Sequence, residues 1–126
     1  MNIRLNKTTL MLMCFSLLCS TGLYADQIPN PASDQKKAID QMHHKLHDDQ
    51  AAFKVKEKQA LKELNEMTIR EDVSMEELNV KIDELMAAKT EIMRLRYGHL
   101  IEMRAILTDK QKVGYDKGVL KRSAVK

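Results

Sequence analysis

The sequence predicts an all-α protein: a long antiparallel helical hairpin with a short C-terminal helix, assembled as a dimer. Residues 34–67 contain no glycine or proline and are mostly strong helix formers. Two capping-box sequences, S-x-x-E at Ser74 and T-x-x-Q at Thr108, mark the starts of two further helices. No alternating pattern with a hairpin turn indicates a strand. Because two long helices alone bury little surface, we expect a homodimer or a strongly curved packing of the short helix.

Residues 1–25 have the anatomy of a secretory signal peptide. Arg4 and Lys7 form a basic beginning, residues 9–19 are apolar, and Ala25 supplies a small residue at the cleavage point. The segment is also close to the roughly 20 residues that a membrane-spanning helix needs, so an uncleaved anchor is the alternative. Both alternatives predict export, and we expect the chain in the periplasm.

Removal of this segment changes what the composition indicates. Cys14 and Cys19 both lie within it, so the remaining chain has no disulfide and no thiolate metal ligand. Subtracting Arg4 and Lys7 from 21 basic residues leaves 19 against 18 acidic residues, a net charge of +1. With so little net charge and few aromatic residues, the chain lacks the basic surface and the stacking platform of nucleic-acid-binding proteins.

The rest of the chain divides into three parts. Residues 26–35 contain both prolines and predict a flexible leader, with Ser33 as the N-cap of the first helix. Residues 36–121 form the helical-hairpin domain, and residues 122–126 form a frayed tail. Apolar residues at helical spacing predict two core stripes: Ile39, Met42, Leu46, Phe53, Ala60 or Leu61, and Leu64 on the first helix, and Leu78, Ile82, Leu85, Ile92, His99, Met103 and Ile106 on the second.

Two pairs of potential metal ligands share one spacing. His43 and His47 are four residues apart and project from one side of the first helix, and His99 and Met103 repeat this spacing on the second. If the hairpin turns at residues 70–73, the numbers of opposed residues add up to roughly 140–146, because both helices rise about 1.5 Å per residue. The two pairs then lie at one level, near the open end of the hairpin.

The chemistry of these side chains suits a transition metal. Imidazole nitrogens bind zinc, copper, nickel and cobalt, and a thioether adds a preference for copper or a weak fifth or sixth contact to nickel or cobalt. The sequence therefore predicts a metal site formed by His43, His47, His99 and Met103. The alternative is that the histidines are solvated and that Met103 packs in the core. His44 points about 100° away from His43, which makes it a solvated neighbour or an intermolecular ligand.

Sequence motifs for catalysis are missing. "HKLHDD" lacks the H-E-x-x-H order of zinc proteases, and the chain has neither a nucleophile elbow nor a glycine-rich phosphate loop. We therefore expect no enzymatic activity.

The stretch "HLIEMRAILTDKQKVGYDK" at residues 99–117 resembles the periplasmic heavy-metal sensor and metal-resistance family, most closely its nickel/cobalt-resistance sensor branch. Within it, "LTDKQ" matches the L-T-x-x-Q motif of related periplasmic stress chaperones. The resemblance implies that the H-x-x-x-H of the family falls on His43 and His47, and its H-x-x-x-M on His99 and Met103.

The resemblance also implies a function. It suggests a periplasmic metal-binding protein that senses a heavy metal or confers resistance to it, with a membrane-bound regulator as partner, either an anti-sigma factor or a sensor kinase. Sensor members are membrane-anchored, which agrees with the anchor alternative. The related chaperones suggest instead an ATP-independent chaperone or stress-sensor inhibitor with an apolar concave face, rich in methionines such as Met67, Met75, Met86 and Met93.

Overall fold

The computed structural model describes residues 28–123, which form three α-helices and no strand. Helix α1 spans Ser33–Met67, α2 spans Met75–Ala105 and α3 spans Asp109–Ser123. The predicted all-α fold is confirmed. The predicted signal segment and the end of the tail lie outside the described residues. Within residues 28–123, no helix is both long and apolar enough to cross a membrane.

Helices α1 and α2 pack against each other in antiparallel register. In the middle of the hairpin, the Gln50 amide donates a hydrogen bond of 3.0 Å to the carbonyl of Ile92. At the open end, the Gln35 amide donates one of 3.1 Å to the carbonyl of Ile106. Both pairs fall within the register that the sequence predicts, so the turn at residues 68–74 lies where expected.

Both capping boxes form as predicted. The Ser74 hydroxyl accepts the Glu77 N–H at 3.2 Å, and the Glu77 carboxylate accepts the Ser74 N–H at 3.0 Å. At the start of α3, the Thr108 hydroxyl accepts the Gln111 N–H at 3.3 Å, and the Gln111 side chain accepts the Thr108 N–H at 3.0 Å. These reciprocal bonds satisfy backbone donors that the first helical turn leaves free.

The start of α1 differs from the prediction. Ala32 is the N-cap, and its N–H donates to the Gln35 side chain at 2.9 Å, so the assignment of Ser33 as N-cap is wrong by one residue. Ile28, which precedes this turn, is buried in the core. Within the predicted flexible leader, Ile28 therefore packs against the hairpin, and residues 33–35 belong to α1.

An apolar cluster closes the open end of the hairpin. The buried members are Ile28, Ile39, Met103, Leu107 and Tyr115. The Tyr115 hydroxyl of α3 donates to the carbonyl of Leu100 at 3.0 Å. The Arg104 guanidinium donates two bonds to the Asp116 carboxylate, at 2.8 and 2.9 Å. These contacts hold α3 against the last turns of α2.

Most predicted core positions face the neighbouring helix. Ile39, Ala60, Leu85, His99 and Met103 are buried. Of the two residues proposed for one position, Ala60 is buried and Leu61 is exposed. The prediction for Ile82 is wrong, because this side chain is exposed. The half-buried Lys81 instead reaches α1, where its ammonium lies 2.7 Å from the Glu63 carboxylate.

Candidate metal centre

Two of the four predicted metal ligands meet between the long helices. The imidazole rings of His43 on α1 and His99 on α2 have centroids 5.1 Å apart and planes inclined at 47°. His99 is 6 % exposed and belongs to the inner stripe of α2. His43 is partly buried, at the edge of the α1 stripe. The hairpin register therefore brings together an imidazole from each helix.

His47 lies on the outer surface of α1. Its side chain is 78 % exposed, and its Nδ1 is 3.4 Å from a carboxylate oxygen of Asp48. A step of four residues advances about 40° around a helix. Because His43 already lies at the edge of the buried stripe, this step carries His47 into solvent. Gln50, in contrast, is buried on the inner side. His47 thus lies apart from the facing pair.

Met103 belongs to the apolar cluster at the open end. It is 2 % exposed and is the most deeply buried large side chain of the described residues. It packs with Ile39 and Leu107, so its burial is explained by core packing. It also follows His99 by one helical turn, which places its thioether one step along α2 from the facing imidazoles.

Burial sets the protonation of the facing pair. It lowers the pKa of His43, an effect that the Asp40 carboxylate opposes and His44 increases. Burial likewise lowers the pKa of His99; nearby His43 lowers it further, and the Glu102 carboxylate raises it. Burial therefore favours the neutral form of both imidazoles, which is the form that binds a metal.

A groove of about 220 Å³ lies beside His99, between α1 and α2. Its walls carry two ion pairs: Lys45 with Asp49 on α1, and Arg94 with Glu91 on α2. His99 itself lines this groove.

The facing histidines do not form a complete metal site by themselves. Within residues 28–123, no group of three or more His, Cys, Asp or Glu side chains is arranged to hold a metal ion. The arrangement offers two neutral imidazole donors, with the Met103 thioether and the Glu102 carboxylate on the neighbouring turn of α2. It can contribute two nitrogen ligands to an ion that takes further ligands from other groups.

A second polar cluster near this end was not predicted. Gln35 and Gln111 exchange side-chain hydrogen bonds of 2.9 and 3.0 Å. Gln111 also donates to the carbonyl of Pro29 at 3.3 Å, and Gln35 to that of Ile106. The T-x-x-Q pattern identified Gln111 as a capping residue only. Gln35, in the first turn of α1, was the sequence feature that could have indicated the partner of Gln111.

No protein-family model matches the chain, and neither a curated protein nor a solved structure matches it. The fold and the candidate site define a class in physical terms: an all-α hairpin with a histidine pair enclosed between its two long helices.

Proposed function

We propose that this chain is an exported metal-binding protein of the periplasm that acts in heavy-metal sensing or resistance. In this proposal, His43 and His99 hold a transition-metal ion between α1 and α2. The observation that carries the proposal is the facing imidazole pair, whose centroids lie 5.1 Å apart. The resemblance of residues 99–117 to metal sensors supports the same assignment.

The spacing of the two rings suits a shared ion. Metal–imidazole bonds are about 2.0–2.1 Å long, which puts each ring centroid about 3.2 Å from the metal. Two such rings at a tetrahedral angle have centroids about 5.2 Å apart. The observed 5.1 Å is close to this value. The spacing of the rings therefore supports the proposal that both bind one ion.

The remaining ligands decide which metal is preferred. Met103 would add a thioether, which favours copper, whereas a carboxylate such as Glu102 or water would suit zinc, nickel or cobalt. His47 would join the site only after its side chain rotates from its exposed position. Of the predicted ligand set, His43, His47, His99 and Met103, the facing histidines are the proposed anchors of the site.

Metal binding would cross-link the two long helices near their open end. Such a bond resists separation of α1 from α2 at the level where the leader and α3 also pack. A change in this region is what a membrane-bound regulator, either an anti-sigma factor or a sensor kinase, would detect. A homodimer would present the region twice.

Calorimetry on the purified protein with zinc, nickel, cobalt and copper tests the proposal. We expect one tight site per chain, weakened at least about tenfold in His43→Ala and in His99→Ala. His44→Ala is the matched control, because this exposed neighbour should leave the tight site intact. Equal tight binding by the wild type and by both of the first two variants would refute the site.

A second candidate function rests on the outer face of α2. Met86, Met93 and Tyr97 are about half exposed there, at helical spacing. Flexible methionines adapt to varied apolar partners, which suits an ATP-independent chaperone or a stress-sensor inhibitor. This candidate predicts that aggregation of a heat-unfolded test enzyme is suppressed in EDTA. Met86→Ser with Met93→Ser should abolish the suppression, whereas Val80→Ser, at an exposed position elsewhere on α2, should not.

A further inference from the structure

The outer face of α1 carries a second group of metal-binding side chains. His44 and His47 are exposed and three residues apart, so they are neighbours on the helix surface. Asp40 lies one turn before His44, and Asp48 directly follows His47. All four side chains are exposed. This group is separate from the facing pair of His43 and His99.

The contact between His47 and Asp48 prepares the imidazole for a metal. Asp48 Oδ1 lies 3.4 Å from His47 Nδ1, so the carboxylate favours the tautomer that carries its proton on Nδ1. In that tautomer, Nε2 presents its lone pair to solvent. A carboxylate behind a histidine is the usual support for a metal-binding imidazole, because it fixes the orientation of the ring.

A single copy of this face cannot complete a metal site. It provides two imidazoles, and no three-ligand group is present within residues 28–123. A second copy related by a two-fold axis would supply the same two imidazoles. Four nitrogen ligands match the tetrahedral coordination that zinc prefers. Ala51, exposed on the next turn of the same face, has a small side chain that allows a second helix to approach closely.

We propose that His44 and His47 form half of an intermolecular zinc site, completed by the same residues of a second copy of this chain. Asp48 positions His47, and Asp40 with Asp48 offsets the charge of the bound ion. Zinc thereby joins two copies through their α1 helices. This site does not depend on metal binding by His43 and His99.

Sedimentation velocity of the full chain, without zinc and with increasing zinc, tests this proposal. We expect zinc to double the sedimenting mass and EDTA to reverse the change. His44→Ala and His47→Ala should keep the zinc-free mass at every zinc concentration. Asp48→Asn should still double in mass but require about 10–100-fold more zinc, as expected for loss of a supporting carboxylate.

Two further variants separate this site from the enclosed one. His43→Ala and His99→Ala should double in mass with zinc as the wild type does, even if they lose the tight site seen by calorimetry. An unchanged mass of the wild type in zinc would refute the proposal. Doubling that persists in both His44→Ala and His47→Ala would refute it as well. Circular dichroism of each variant establishes that the helices are retained.

Discussion

Gln35 and Gln111 join the first turns of α1 and α3 through two reciprocal hydrogen bonds of 2.9 and 3.0 Å. Gln111 also bonds the carbonyl of Pro29, and Gln35 bonds that of Ile106. One glutamine pair thus ties together the leader, the start of α1, the end of α2 and the start of α3. Because Gln111 is buried, these bonds form largely out of water, where an unmet polar group is costly.

Replacement of Gln111 should lower the free energy of unfolding more than replacement of an exposed polar residue does. Gln111→Ala removes the acceptor for the Thr108 N–H and both side-chain hydrogen bonds with Gln35, which keeps only its bonds to Ala32 and Ile106. Each buried polar group left without a partner costs about 1–3 kcal/mol, so we expect a loss of about 2 kcal/mol or more in the free energy of unfolding by urea. Gln41→Ala, at an exposed position on α1, is the control and should change it by less than about 0.5 kcal/mol. Equal effects of the two substitutions would show that the glutamine pair is not a structural link.

Met103 packs in the apolar cluster and is also a proposed metal ligand. Two substitutions distinguish these roles. Met103→Ala leaves a cavity at a site only 2 % exposed and should cost about 2–5 kcal/mol. Met103→Leu keeps the apolar volume and should cost less than about 1.5 kcal/mol, but it removes the thioether. If the thioether binds metal, the leucine variant loses affinity for copper while its unfolding midpoint stays near that of the wild type. Unchanged copper affinity would show that Met103 serves the core alone.

The hairpin could be predicted because its signals are local. Capping boxes at Ser74 and Thr108 fix where α2 and α3 start, and the constant rise of a helix then sets the level at which His43 meets His99. Sequence arithmetic gives this level, but it does not give the rotation of each helix about its axis. That rotation depends on packing along the entire interface, which turns Gln50 inward and His47 outward.

The contacts made by the leader could not be predicted from the sequence, for a different reason. Two prolines and several polar residues predict a flexible segment, yet Ile28 is buried in the apolar cluster with Tyr115. A single apolar residue has no periodicity, so only the folded arrangement of α2 and α3 reveals the space that it fills. The same holds for Gln35, whose partner lies far away in the sequence.

Acid should destabilise the metal-free protein through the facing histidines. Burial lowers the pKa of both His43 and His99, so the unfolded chain binds more protons than the folded protein below about pH 6.5. Stability is therefore greatest above about pH 6.5 and falls as the pH drops toward the lowered values. The charged groups that act on the pair are Asp40 and His44 on α1 and Glu102 on α2.

Thermal unfolding in EDTA between pH 5 and pH 8, a range of about three units around the histidine pKa, measures this effect. The double variant His43→Gln, His99→Gln should show a flatter dependence of melting temperature on pH than the wild type. His47→Gln serves as control, because its side chain is 78 % exposed, and it should keep the wild-type slope. A wild-type slope in the double variant would mean that other groups cause the acid sensitivity.

Gly98 offers a stabilising substitution directly beside the candidate site. It lies inside α2, where glycine costs about 0.5–1 kcal/mol relative to alanine because the unfolded chain is more flexible. A Cβ added at this position would meet no heavy atom within 4 Å beyond its chain neighbours and the nearby backbone of α2. We therefore expect Gly98→Ala to raise the free energy of unfolding by about 0.5–1 kcal/mol, which corresponds to a melting temperature higher by about 2–8 °C in a domain of this size.

Calorimetric unfolding checks this expectation, with Ala87→Gly as the matched control. Ala87 is exposed in the same helix, so the reverse exchange should lower stability by a similar amount. Gly98 also lines the groove beside His99. The rate and affinity of metal binding to Gly98→Ala show whether a side chain at this position hinders access to His99. A variant that is more stable but binds metal more slowly would mean that glycine keeps the path to His99 open at the expense of helix stability. A destabilised variant would instead contradict the free space around Gly98.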